Sequence, residues 1–229
     1  MSIGATQKAT IPCPQPLREV DSCSGPEAAD SLAWNLHKLA GVTQQCAALL
    51  VRRPGALRAA FATGAEYLFQ PDKPHAGLDT GDLTFQCARR NDVLKAWLMW
   101  KARGDAGLAA RVDHAVALAG RCARALADDP RFCLAAPPSW VNVCFWWVPP
   151  ALRPLDRTVP GVDATLHALT PAIKARMLRE GAAMLAYQPI DGAPNSFRLL
   201  VMNPAVTADD LEFVLACIDR HGRDLTDRA

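Results

Sequence analysis

The sequence predicts a mixed fold, between α/β and α+β, and three observations carry that expectation. Strand-like apolar runs recur at 45–51, 141–148, 184–188 and 197–203. Between them, apolar side chains spaced three and four apart mark amphipathic helices. The chain ends strand, turn, strand, helix and shows no internal repeat, which excludes a repeat array.

Residues 1–26 are rich in Pro, Ser, Gly and Thr without periodicity, the composition of a loop or disordered leader. QCAALLV, from Gln45 to Val51, reads as a buried strand punctuated by Pro54-Gly55. FQPDKPHAGLDTG, from Phe69 to Gly81, packs prolines, glycines and aspartates together and reads as an exposed loop. A helix is expected within 83–103 through Val93, Leu94, Trp97, Leu98 and Trp100, stopped by Gly104. Leu108, Val112, Val116, Ala119, Cys122 and Leu126 mark the buried face of the next helix, which Asp129-Pro130 ends. Val141 to Val148 is a strong strand.

A helix over 163–180 turns Leu166, Leu169, Ile173 and Met177 inward; Gly181 caps it, and Pro171 within it predicts a kink or a restart. MLAYQ at 184–188 and FRLLVMN at 197–203 flank the turn residues DGAPN, as in an antiparallel pair. The last helix is capped by Thr207, buries Leu211, Val214, Leu215 and Ile218, and closes at His221-Gly222.

A chain of 229 residues, 50% of them hydrophobic, can bury a substantial core. Its net charge of +2 gives no bias toward nucleic acid or an anionic membrane, so small-molecule chemistry is the expectation. No apolar run reaches the ~18 residues of a membrane helix. Pro12, Pro14, Pro16, Asp21 and Glu27 interrupt any secretory signal, which predicts a soluble, cytoplasmic protein. The eight cysteines lie too far apart for a CxxC zinc pair or redox motif, so no metal site is expected. Cys46, Cys144 and Cys217 read as reduced, small core residues.

Chemistry concentrates in DSLAWNLHKLAG, from Asp30 to Gly41, where Lys38 follows His37 in an apolar, aromatic-flanked segment. A lysine in a poorly solvated pocket has its pKa lowered, and the neutral amine is the form that bonds an aldehyde. The chain has only six lysines, so few compete. On pattern alone the plainer reading of Lys38 is a surface lysine near the end of an element, and that of His37 a satisfied core histidine.

ADSLAWNLHK at 29–38 resembles the ADSxxWNPHK signature of the group II pyridoxal-phosphate decarboxylases. Further stretches are similar, in order, to the glutamate and cysteine-sulfinate decarboxylase branch. They include QCAALLV at 45, YLFQPDK at 67, DTGD at 79 and QCARRNDVLKAWLMWKARG at 86. NVCFWWVPPALR at 142, PAIKARM at 171, YQP at 187, NSFRLLVMNPAVT at 195 and HGRDL at 221 continue the series.

The resemblance implies the end of the large domain plus the C-terminal small domain of a fold-type I pyridoxal-phosphate enzyme. Its expected organisation is a leader at 1–26, the large-domain end with its lid loop and helices at 27–129, and a small α+β domain at 130–229. It implies pyridoxal 5'-phosphate as cofactor, Lys38 as the lysine that bonds it and His37 lying against it near its phosphate. Arg198 would pair with the substrate carboxylate, a contact that suits a planar guanidinium; without the resemblance it reads as a strand-edge arginine. The implied substrate is a small acidic amino acid, the implied assembly a homodimer, and Trp97, Trp100, Trp146 and Trp147 would fill core or dimer interface.

Three departures stand out. Leu36 replaces the family's proline before the histidine, Ser196 replaces a phenylalanine, and the lid loop offers His75 where the family places a proton-donating tyrosine. Histidine donates protons near neutral pH; a solvated loop histidine is the plainer reading. In the family, the aspartate paired with the pyridine nitrogen and much of the phosphate site precede the lysine, and residues 1–26 hold no counterpart. Two functional expectations therefore stand together: a decarboxylase by lineage, inactive as this chain alone, or a non-catalytic homologue serving as a dimerisation or interaction module.

Overall fold

The computed structural model describes residues 29–70, 72–86 and 90–227. The leader expected at 1–26, along with Cys13, Cys23 and Cys87, lies outside the described residues. Two compact units meet in sequence between Val112 and Asp113.

In residues 29–112, β1 (Ser31–Trp34) and β2 (Ala48–Val51) pair antiparallel, with Ser31 opposite Val51 and Trp34 opposite Ala48. The strand expected at 45–51 forms, but it is not buried: Leu49 and Leu50 are more than half exposed. A ribbon of two strands has no layer of its own to cover either face. The short helix α1 (Ala56–Phe61) is tied through Arg58 to Asp82 at 3.2 Å. Leu36, Val42 and Cys46 form a small core against Ala48, Ala96 and Met99.

Helix α2 (Asp92–Asp128) runs through both expected helices, and Gly104 (φ 65°, ψ 178°) breaks it where a stop was expected. Its first stretch does not bury Val93, Leu94, Trp97 or Leu98 within residues 29–112. The later stretch buries Ala119, Cys122 and Leu126 of the expected stripe together with Ala115, Leu118 and Ala123, while Val116 is left exposed.

Residues 113–227 contain a four-stranded antiparallel sheet in the order β3 (132–134), β4 (142–147), β6 (196–200), β5 (186–188). β4 (Asn142–Trp147) and β5 (Ala186–Gln188) lie inside the runs read from the sequence, and β6 (Ser196–Leu200) begins one residue before its run; β3 (Phe132–Leu134) is too short to show periodicity. Asp191 and Gly192 take positive φ, 46° and 76°, in the connection between β5 and β6.

Successive side chains of β4 alternate between faces, and both faces are covered. Cys144 and Trp146 pack with Val162 and Leu166 of α3 (Val162–Glu180). Trp147 meets α4 (Ala208–Thr226) so closely that a Cβ on Gly222 would come within 2.6 Å of its ring. Gly222 is thus a packing residue inside the helix, not its end. The Trp147 indole also donates to Asp219 at 2.9 Å, and Arg131 and Arg223 each donate to the same carboxylate at 2.9 Å. Thr207 caps α4 in a reciprocal capping box with Asp210.

α3 runs continuously through Pro171 without a restart. A helical proline lacks the N–H that would bond the carbonyl four residues earlier, here that of His167. The Asn195 amide donates to that carbonyl at 3.2 Å, while Thr170 donates to the Asn195 carbonyl at 2.9 Å. The lost backbone bond is replaced from the loop before β6. Among the described residues no helix is long and apolar enough to cross a membrane.

Candidate active site

Lys38 sits in the tight turn that follows β1. Its N–H donates to the Asn35 carbonyl at 3.0 Å, and its own carbonyl accepts from Gly41 at 2.9 Å. Val42 donates to the Leu36 carbonyl and His37 to that of Cys46, both at 3.0 Å. Leu36, the departure from proline, is buried with Val42 and Cys46, so its side chain anchors the turn in the small core. Gly41 has φ 77°, a left-handed conformation that glycine adopts without steric cost.

His37 is fixed on one side. Its Nδ1 lies 2.6 Å from the Cys46 carbonyl and 3.2 Å from the Cys46 N–H, so the ring is pinned to that backbone through Nδ1. The Cys46 thiol reaches the Asp92 carbonyl at 3.5 Å, tying the same segment to α2.

Lys38 is exposed, not enclosed as the poorly solvated reading expected, and among the described residues its amine has no hydrogen-bond or ion-pair partner. Other lysines are engaged. Lys95 holds the Gln45 carbonyl at 2.6 Å and Asp92 at 2.8 Å, Lys73 lies 3.9 Å from Asp79, and Lys174 rests over the Tyr187 ring. Lys101 is free as well, but it stands on a helix face without a fixed histidine beside it.

One further side chain holds this turn, and no local motif marks it. Arg111, in α2, donates from Nε to the Leu39 carbonyl at 3.0 Å, and its guanidinium covers the α-carbon of Gly41. Burial, and secondarily the charge of Arg103, lower its pKa.

His75 lies on a different loop of the same unit. It has φ 63°, its carbonyl accepts from Leu78 at 2.8 Å at the start of a single 3-10 turn, and its side chain is exposed.

Arg198 belongs to the other unit, in β6 between Cys144 of β4 and Ala186 of β5. It is half-buried, and its Nε is buried without a hydrogen-bond partner. A buried, unsatisfied donor on a cation is costly, and a carboxylate is the group that would satisfy it. Beside it, burial pushes the Cys144 thiol up, against smaller opposing effects of Asn142 and Arg198. The structure therefore joins His37 and Lys38 in one turn, with His75 on a separate loop and Arg198 on the C-terminal sheet.

Residues 12–148 match the pyridoxal-dependent decarboxylase conserved domain. Human cysteine sulfinic acid decarboxylase is 44% identical over 203 residues, 88% of this chain and 41% of the relative. An acidic amino acid decarboxylase from Bos taurus is 42% identical over 88% of this chain and 39% of its own length. The crystal structure of mouse CSAD superimposes with a TM-score of 0.81 at 40% identity, covering 88% of this chain and 42% of that one. The chain thus spans about two fifths of the length of these relatives, and its fold is part of the fold-type I architecture. It belongs to the group II pyridoxal-dependent decarboxylases.

Proposed function

We propose that the chain carries the lysine-bearing part of a decarboxylase for a small acidic amino acid: cysteine sulfinate, aspartate or glutamate. The observation that carries this reading is the unpartnered Lys38 amine, on a turn tied by its backbone and adjoining a histidine fixed through Nδ1. The residues fit pyridoxal 5'-phosphate: Lys38 offers a primary amine to its aldehyde carbon, and His37 a ring nitrogen beside it. When bound, pyridoxal phosphate supplies the electron-withdrawing ring on which loss of carbon dioxide depends. Arg198 takes the substrate carboxylate through its orphaned Nε–H, and His75 is the candidate that delivers a proton from the loop. We further propose a cytoplasmic homodimer.

Borohydride reduction of the chain mixed with pyridoxal phosphate, followed by peptide mapping, tests the reading. Label is expected on Lys38; preferential label on Lys73 or Lys95 overturns it. By itself the 229-residue chain is proposed to decarboxylate these substrates no faster than free pyridoxal phosphate. Among the described residues few groups are placed to orient a cofactor ring, and orientation is where such catalysis gains most.

A second reading, a non-catalytic module that pairs with another chain, draws support from the exposed Trp34, Leu49, Leu50 and Trp97. Absence of any preferential label on Lys38 favours it.

A further inference from the structure

We propose that Arg111 is a positioning residue for Lys38, acting through the Leu39 carbonyl and the recess left by Gly41. The inference rests on the reading of Lys38 as the lysine that bonds the cofactor.

The turn's own hydrogen bonds fasten Lys38, Gly41 and Val42 to Asn35, Lys38 and Leu36, and His37 to Cys46. None of these holds the Leu39–Ala40 peptide, the second after Lys38. Its carbonyl accepts instead from the Arg111 Nε at 3.0 Å, across 72 residues of sequence. The guanidinium lies flat against Gly41: a Cβ built there would come 2.4 Å from Nη2, 2.6 Å from Cζ and 2.9 Å from Nη1. Gly41 is favoured by its φ of 77°, and any side chain there would have to push the guanidinium aside.

The surroundings of Arg111 indicate that this contact is its purpose. It is half-buried, lies near the like charge of Arg103, and has no ion pair with a carboxylate among the described residues. A cation in that setting is unfavourable unless a strong acceptor compensates, and the Leu39 carbonyl is the acceptor present. Lys38, being exposed, has no side-chain packing to set the direction of its Cα–Cβ bond. The backbone of the turn alone aims the amine, and a planar fork held at one carbonyl limits how far the Leu39 peptide can rotate. Lysine in place of Arg111 keeps a donor and a charge but loses the plate.

The test uses the full chain, pyridoxal phosphate with borohydride, and mapping of label on Lys38 against Lys101 as internal reference. Arg111→Met is expected to cut the ratio of Lys38 to Lys101 label about tenfold, the scale of a sub-ångström misplacement of a reacting group. Arg111→Lys should recover at least half of the ratio, and Gly41→Ala, which displaces the guanidinium, should repeat the loss. Without cofactor, amide exchange at Gly41 and Val42 should accelerate about tenfold in Arg111→Met, while β4 amides stay protected. An Arg111→Met chain with the native label ratio and native exchange overturns the inference. If the unmodified chain shows no preference for Lys38, the reading of Lys38 fails; exchange at Gly41 and Val42 still decides whether Arg111 holds the turn. Should Arg111→Met not fold, Arg111→Lys and Gly41→Ala decide, and native behaviour in both refutes the proposal.

Discussion

Phe145, Trp146, Trp147 and Phe197, all in residues 113–227, are no more than 2% exposed, whereas Trp34, Leu49 and Trp97, in residues 29–112, are between 43% and 56% exposed. Both units have similar raw material, apolar strands and aromatic-bearing helices, yet only one closes a core. Four strands with α3 and α4 cover β4 on both faces; two strands and a broken helix cover a cluster of three residues. In the first unit, order around Lys38 comes from directional contacts to backbone groups, not from apolar burial. The difference separates the unit whose stability comes from apolar burial from the unit whose order comes from directional contacts.

The largest effect is expected in the buried core of residues 113–227. Trp147→Ala removes a fully buried indole, its contact with Gly222 and a donor to Asp219, and should cost about 3–5 kcal/mol in urea unfolding. A cost under about 1 kcal/mol would mean the C-terminal core collapses to fill the space.

A smaller, pH-dependent effect is expected at Asp219. Burial pushes its carboxyl up, but hydrogen bonds from Trp147, Arg223 and Arg131 outweigh this and hold it below the ordinary aspartate value. A carboxylate whose folded pKa is depressed stabilises the fold above its unfolded pKa, about 4, and loses that contribution as pH falls through the folded value. The gap in melting temperature between the native chain and Asp219→Asn should therefore be widest above pH about 5 and shrink on acidification. A gap that widens toward low pH would reverse the assignment.

The smallest effect belongs to the exposed ribbon. Leu49→Ser should change stability by no more than about 0.5 kcal/mol, as substitutions at open surface do. A loss above about 1.5 kcal/mol would show that something covers this face in solution.

Much of the C-terminal unit was legible because its signals are local. Short apolar runs bounded by turn residues located β4, β5 and β6, and Thr207 announced its helix by cap chemistry. Exposure was not legible, since the composition of β2 says apolar without saying whether a second layer exists to cover it. Of the site, Lys38, His37 and Arg198 stood in motifs, and the structure adds what surrounds them. Arg111 stood in none: its partner is 72 residues away, and the sole trace is a glycine after Leu39-Ala40 whose backbone requires positive φ. Asp219 was missed for the same reason, because its three donors come from β4, α4 and the loop before β3.

The repair at Pro171 couples two stretches that a sequence editor would treat as unrelated. Asn195 gives its amide to the carbonyl the proline leaves open and its own carbonyl to Thr170, so α3 dictates where the chain must stand just before β6 begins. Replacing the proline by alanine would improve the helix taken alone while aiming two donors at one carbonyl, and the displaced amide is the one that sets the start of Arg198's strand. The portable unit around that arginine is therefore the strand together with its preceding turn and α3, and a graft of the strand alone would carry the charge without its aim.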